Sequence, residues 1–134
     1  MTSDTTETVS LDILIARPPE DVWAALTQPD LLARWWATSD ISPDVGHRFT
    51  IDMGKWGQQP CEVLESDFPH RFVYSFADWR LVWTLTPEGQ GTRLRVDHEG
   101  FDLANPQHKF AFETMGPGWR SAVLPRLATL LETA

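Results

Sequence analysis

One cysteine, Cys61, stands among 134 residues, which excludes a disulfide framework and a thiolate metal cluster. That usage fits a reducing compartment, and we expect a cytoplasmic protein. No stretch approaches the ~20 apolar residues that cross a bilayer. Residues 1–8 are polar and acidic, without a basic segment leading into an apolar run, so they read as a disordered tail rather than a signal or transit peptide. Basic residues are few: 11 Lys and Arg stand against 19 Asp and Glu, a formal charge of −8. Nucleic acid and anionic membranes need clustered cations and are not expected partners. The strings of common cofactor and catalytic sites are missing too, with no phosphate-binding glycine loop, no histidine pair at metal spacing and no nucleophile elbow. We expect no cofactor and no metal, and Gly89-Gln90-Gly91 reads as a hairpin loop.

Tryptophan, by contrast, is abundant, with seven in the chain. Indoles have large apolar faces and one donor to satisfy, so they fill a core or line a pocket.

The length suits one domain, over residues 9–134. Val9, Leu11, Ile13 and Ile15 alternate with more polar residues, the period of a half-buried strand. Arg17-Pro18-Pro19-Glu20-Asp21 stops it and opens a short helix whose inner face is Val22, Trp23 and Leu26. Residues 31–36 read as a second short helix. From Val45 the period returns to two, with Phe49, Ile51 and Met53 on one face. A glycine-flanked turn carries Trp56, and Cys61 to Glu65 resumes as strand with ambiguous facing.

Register can be tested in the next segment, because a one-residue slip turns every side chain over. A tight turn at Ala77-Asp78 pairs Phe76 with Trp79, Tyr74 with Leu81 and Phe72 with Trp83. A loop over residues 87–90 then pairs Trp83 with Leu94, Leu81 with Val96 and Trp79 with His98. One apolar face continues across three strands, and the other sets Arg80 opposite Asp97 and Val82 opposite Arg95.

From Asn105 to Glu132 the spacing is helical, with Phe112, Gly116, Trp119, Val123, Leu127 and Leu130 on one stripe. Pro117 and Pro125 point away from it. A single kinked helix is the expected form, with a break at Gly116-Pro117 as the alternative. The fold class is α+β: a curved antiparallel sheet of six or seven strands gripping a long C-terminal helix, with two short helices after the first strand.

The run from Ala16 through Arg17-Pro18-Pro19-Glu20-Asp21-Val22-Trp23 to Thr27, then Trp35-Trp36, resembles the opening of the START-like (SRPBCC, helix-grip) superfamily. The branch is that named for the C-terminal domain of the activator of heat-shock protein 90 ATPase. Val63-Leu64-Glu65, Pro69 to Tyr74, Thr92-Arg93-Leu94, His98-Glu99-Gly100-Phe101 and Gly118-Trp119 extend the likeness over residues 9–132. The resemblance implies a cavity between sheet and helix that in many relatives takes an apolar small molecule, and it implies no single reaction. Full-length eukaryotic activators carry a further chaperone-clamping domain with no counterpart here, so direct activation of a chaperone is not expected.

With that cavity in view, the candidate lining is aromatic: Trp36, Trp56, Tyr74, Phe76, Trp79 and Trp83, then Phe101, Phe112 and Trp119, joined by Met115 and His98. His98 is the weak catalytic candidate, as an acid/base group or a polar anchor, set against the alternative of a core histidine bonded to main chain. His47, His70 and His108 read as surface residues. Either Glu62 or Glu65 could face the cavity, depending on register, and Cys61 reads as buried and inert. Three functions remain open. They are a binding protein for an apolar or aromatic small molecule, which we favour; a co-chaperone-like interaction module, with a protein partner or homodimer; and a cavity enzyme using His98 with a carboxylate.

Overall fold

The computed structural model describes residues 6–133. In chain order these form β1 (Glu7–Ile15), α1 (Pro19–Thr27), α2 (Pro29–Trp35), β2 (Arg48–Asp52), β3 (Gln58–Asp67), β4 (Arg71–Phe76), β5 (Trp79–Glu88), β6 (Gly91–Phe101), α3 (Pro106–Gly118) and α4 (Leu124–Glu132). The expected tail lies outside the described residues as far as residue 5, while Glu7 and Thr8 already belong to β1. No described helix is long and apolar enough to cross a membrane.

The six strands make one curved antiparallel sheet in the order β1-β6-β5-β4-β3-β2. Strands β2 to β6 are joined in sequence as a meander, and β1 adds to the edge of β6. The β4–β5 hairpin has the expected register, Phe72 opposite Trp83, Tyr74 opposite Leu81 and Phe76 opposite Trp79. Its turn places Ala77 at a φ of 54°.

The β5–β6 hairpin departs from expectation by two residues, with Trp83 opposite Val96 and Leu81 opposite His98. Pro87 was expected to break the strand, yet it pairs with Thr92, and the turn shrinks to Gly89-Gln90. Strand β4 pairs with β5 only as far as Thr84, so the N–H that Pro87 lacks costs no ladder bond on that side. Side chains alternate with period two, so a slip of two keeps the inner face intact. Only the outer partners change: Arg80 meets Glu99 at 2.6 Å instead of Asp97, and Val82 stands opposite Asp97 instead of Arg95. That solvated ion pair contributes about 0.2–1 kcal/mol at most.

Strand β3 resolves its facing through an irregularity between Val63 and Glu65, which leaves Leu64 exposed. Cys61 and Val63 face the core. Glu62 lies 3.6 Å from Arg48 and Glu65 lies 2.6 Å from Arg71, both on the outer side.

The C-terminal helix is continuous from Pro106 to Glu132, because the π-helical turn Trp119–Val123 joins α3 to α4. Asn105 caps its start by accepting from the Gln107 N–H. The two prolines are exposed, as expected. Leu124 donates to the Trp119 carbonyl five residues back, just before Pro125, which cannot donate. Past the wider turn Leu127 is buried as expected, and the buried positions on either side of it move by one. Beyond Trp119 the stripe runs through Leu124, Leu127 and Leu131, where an unbroken α-helical period had implied Val123 and Leu130.

Main-chain anchors tie this helix to the first strand. Arg17 donates to the Leu131 carbonyl at 2.9 Å while pairing with Asp21 at 2.7 Å, and Glu132 accepts from the Ala16 N–H. A cation at a helix C-terminus also opposes the helix dipole. Nearer the middle of the helix, Gly116 lies over Val9, whose methyls are 3.6 Å from where a Cβ would stand.

Candidate functional site

Helices α1 and α2 close one half of the sheet's inner face. Trp35 reaches Trp83 edge-on at 6.1 Å, and Trp23 packs on Phe72 at 5.4 Å. The other half, beneath α3, is less filled. A cavity of about 660 Å³ remains there, within the range of about 300–1,000 Å³ that holds small molecules.

Phe76, Trp79 and His98 supply the sheet wall, Trp36 closes the α2 end, and Ala111, Met115 and Trp119 supply the helix wall. Met53 and Gln59 contribute from the β2–β3 side. Trp56 and Phe110 stand at the rim, 52% and 54% exposed, with ring centroids 5.8 Å apart. Seven of the candidate lining residues therefore meet at one cavity: Trp36, Trp56, Phe76, Trp79, His98, Met115 and Trp119.

Four others lie elsewhere. Tyr74 and Trp83 belong to the half covered by α1 and α2, and the Trp83 indole donates to the Tyr74 hydroxyl at 3.2 Å. Phe101 is sealed beneath Phe112, with centroids 5.4 Å apart, and neither lines the cavity.

On the helix wall Met115 and Trp119 stand as expected and Phe112 does not. Phe110, Ala111, Thr114, Met115 and Gly118 line the cavity at helical spacing. Threonine and glycine in that row hide it from a search for apolar periodicity. Their mixed character was itself the available signal, because a helix face over a void carries less apolar bulk than one over a core.

His98 is wholly buried and makes one side-chain bond, accepting at Nδ1 from the Trp119 indole at 3.1 Å. An indole N–H can only donate, so Nδ1 is the acceptor and the neutral ring carries its proton on Nε2. Burial pushes its pKa down to about 3. His98 is thus a core histidine bonded to an indole rather than to the main chain. With Nδ1 occupied and Nε2 protonated, it is a hydrogen-bond donor. Glu62 and Glu65 face outward, so neither forms an acid/base pair with it.

Three buried side-chain polar atoms among the described residues have no hydrogen-bond partner: Ser39 Oγ, outside the cavity lining, and His98 Nε2 and Trp79 Nε1, which belong to lining residues. Of the other polar lining groups, Thr114 donates to the Phe110 carbonyl and the Gln59 amide N–H to the Trp56 carbonyl, while the Gln107 amide stands exposed at the rim. No Asp, Glu, Lys or Arg lines the cavity.

His108 also departs from the surface reading. Only 13% of its side chain is exposed, its Nδ1 accepts from the Asp102 N–H, and its ring lies 5.2 Å from Trp79. It thus supports the Trp79 wall from behind. Cys61 is buried, and its thiol is pushed up to about 12 by burial and by nearby Asp40. This is an inert thiol. No group of three or more potential metal ligands occurs among the described residues.

Residues 16–132 match the family described as Activator of Hsp90 ATPase homolog 1-like protein. The chain belongs to that family. Among solved structures, protein MLL2253 from Mesorhizobium loti is similar at 33% identity, covering 96% of this chain and 98% of that one with a TM-score of 0.86. DynU16, a putative protein in the dynemicin biosynthetic locus, is similar at 26% identity over 94% of this chain and 47% of its own, with a TM-score of 0.78. PFC0360w, an HSP90 activator from Plasmodium falciparum, shares the fold at 20% identity, covering 93% of this chain and 96% of that one with a TM-score of 0.77. No functionally curated protein matches in sequence. The Hsp90-activator-like family thus includes this cavity-bearing chain, and membership alone names no ligand.

Proposed function

We propose that this protein binds a small apolar or aromatic molecule in the cavity beneath α3. The observation that carries the reading is an uncharged aromatic cavity of about 660 Å³ that keeps two buried N–H groups without partners. A well-packed core leaves no such void and leaves few donors unsatisfied. The co-chaperone reading draws on family membership and on the Plasmodium activator's fold, and would use a surface outside the cavity.

Gly118 supplies a clean test. It lines the cavity in a helical conformation, and a Cβ there would meet nothing within 4 Å. Gly118→Leu should occupy part of the cavity while improving helix propensity by up to about 1 kcal/mol. A panel of neutral aromatic compounds, followed by thermal shift and tryptophan fluorescence, should include members that bind saturably and raise Tm. Binding should be weakened in Gly118→Leu, whose own Tm is unchanged or higher. Absence of any response, or equal binding by the variant, would sink the proposal.

A further inference from the structure

The two partnerless donors also restrict the chemistry of what would bind. His98, a wholly buried residue of the cavity lining, has Nδ1 committed to Trp119 and a free Nε2–H. The Trp79 indole ring stands 5.7 Å away and carries the other free N–H. A buried donor without an acceptor has lost its water and gained nothing, so an acceptor arriving there recovers a whole hydrogen bond. An amine would set further donors against this pair of N–H groups and satisfy neither of them. An ion would be buried without a counter-charge, because no acidic or basic side chain lines the cavity.

We infer that the ligand is a neutral apolar molecule bearing a carbonyl-type hydrogen-bond acceptor, received by the Nε2–H of His98 beside Trp79. The inference rests on the binding function proposed above and deepens it. Aromatic faces hold the body of the molecule, while His98 sets its orientation, in keeping with pockets that pair apolar walls with a few polar anchors.

The test compares two probes of nearly equal shape, 2-acetylnaphthalene and 2-isopropenylnaphthalene, in which C=CH2 replaces C=O. Both are titrated calorimetrically into the wild-type protein, and the carbonyl stretch of bound ketone is read by infrared difference spectroscopy. The ketone should bind about tenfold tighter than the alkene, with its stretch at lower frequency than in hydrocarbon solvent. His98→Phe should still bind the alkene but lose the preference, and His98→Gln, which keeps an N–H donor, should retain part of it. The infrared reading needs no variant, so a poorly folding His98→Phe leaves the test intact.

Equal affinities in the wild type with an unshifted carbonyl would overturn the inference and leave the binding function standing. A ketone preference that survives in folded His98→Phe would overturn the assignment to His98. Failure of both probes to bind would overturn the binding function, and the inference with it.

Discussion

The Trp119 indole donates to Nδ1 of His98 at 3.1 Å, a bond that joins the C-terminal helix to β6 with both partners buried. One contact thereby links fold and site. It positions the helix wall of the cavity and selects the tautomer presented by the sheet wall.

The burial of His98 makes stability depend on pH in a definite direction. The ring neighbours of His98 are Phe76, Trp79, Phe101 and Trp119, none of which carries charge. Unfolded, His98 takes up a proton near its ordinary 6.5; folded, it stays neutral down to about 3. Between those values the unfolded state binds more protons, so stability falls as pH is lowered, by on the order of 1.4 kcal/mol per pH unit. Above 6.5 the contribution is complete and flat. Urea titrations at several pH values should show wild type and His98→Gln diverging across this window, and parallel curves would remove His98 as the cause.

Trp83→Ala should act on the fold. The side chain is fully buried and donates to Tyr74, so truncation should cost about 3–5 kcal/mol and orphan the tyrosine hydroxyl. Equilibrium denaturation measures this directly. A loss below about 1 kcal/mol would show that the half under α1 and α2 is less solid than it is drawn here.

Trp56→Ala and Phe110→Ala should separate binding from stability. Both rings are about half exposed and touch across the rim, so each change should cost about 1 kcal/mol or less. Dissociation of 2-acetylnaphthalene, followed by stopped flow, should accelerate about three- to tenfold, since such changes act mainly on off-rates. Unchanged dissociation would mean that the rim does not retain the ligand.

Cys61 should resist alkylation. Burial, then Asp40, pushes its thiol up to about 12, so iodoacetamide at pH 8 should label native protein about two to three orders of magnitude more slowly than unfolded protein. Mass spectrometry of the time course decides. Rapid native labelling would show that β3 opens locally.

Element types, and facing everywhere but in the irregular β3, were readable because hydrophobic period is a local property. The β4–β5 register followed from one turn and one alternation. The two-residue slip in β5–β6 was not readable, since period-two patterning cannot distinguish registers that differ by two. A proline at the end of a strand is tolerated wherever no neighbour needs its N–H, and only the extent of β4 shows that. For the candidate site, tryptophan abundance drew attention to aromatics but could not sort Trp83 from Trp79. The two share one face of one strand, and the difference is whether α2 or α3 lies above.

The sequence by itself determined the α+β order, the apolar inner face of the sheet, the single long C-terminal helix and the resemblance that family membership bears out. These are encoded in neighbours a few residues apart. Only the tertiary structure decided which half of the face is filled, where the helix shifts its stripe through the π-turn, and what His98 is. Its role depends on Trp119, 21 positions away, and no local pattern records which imidazole nitrogen a distant indole will occupy.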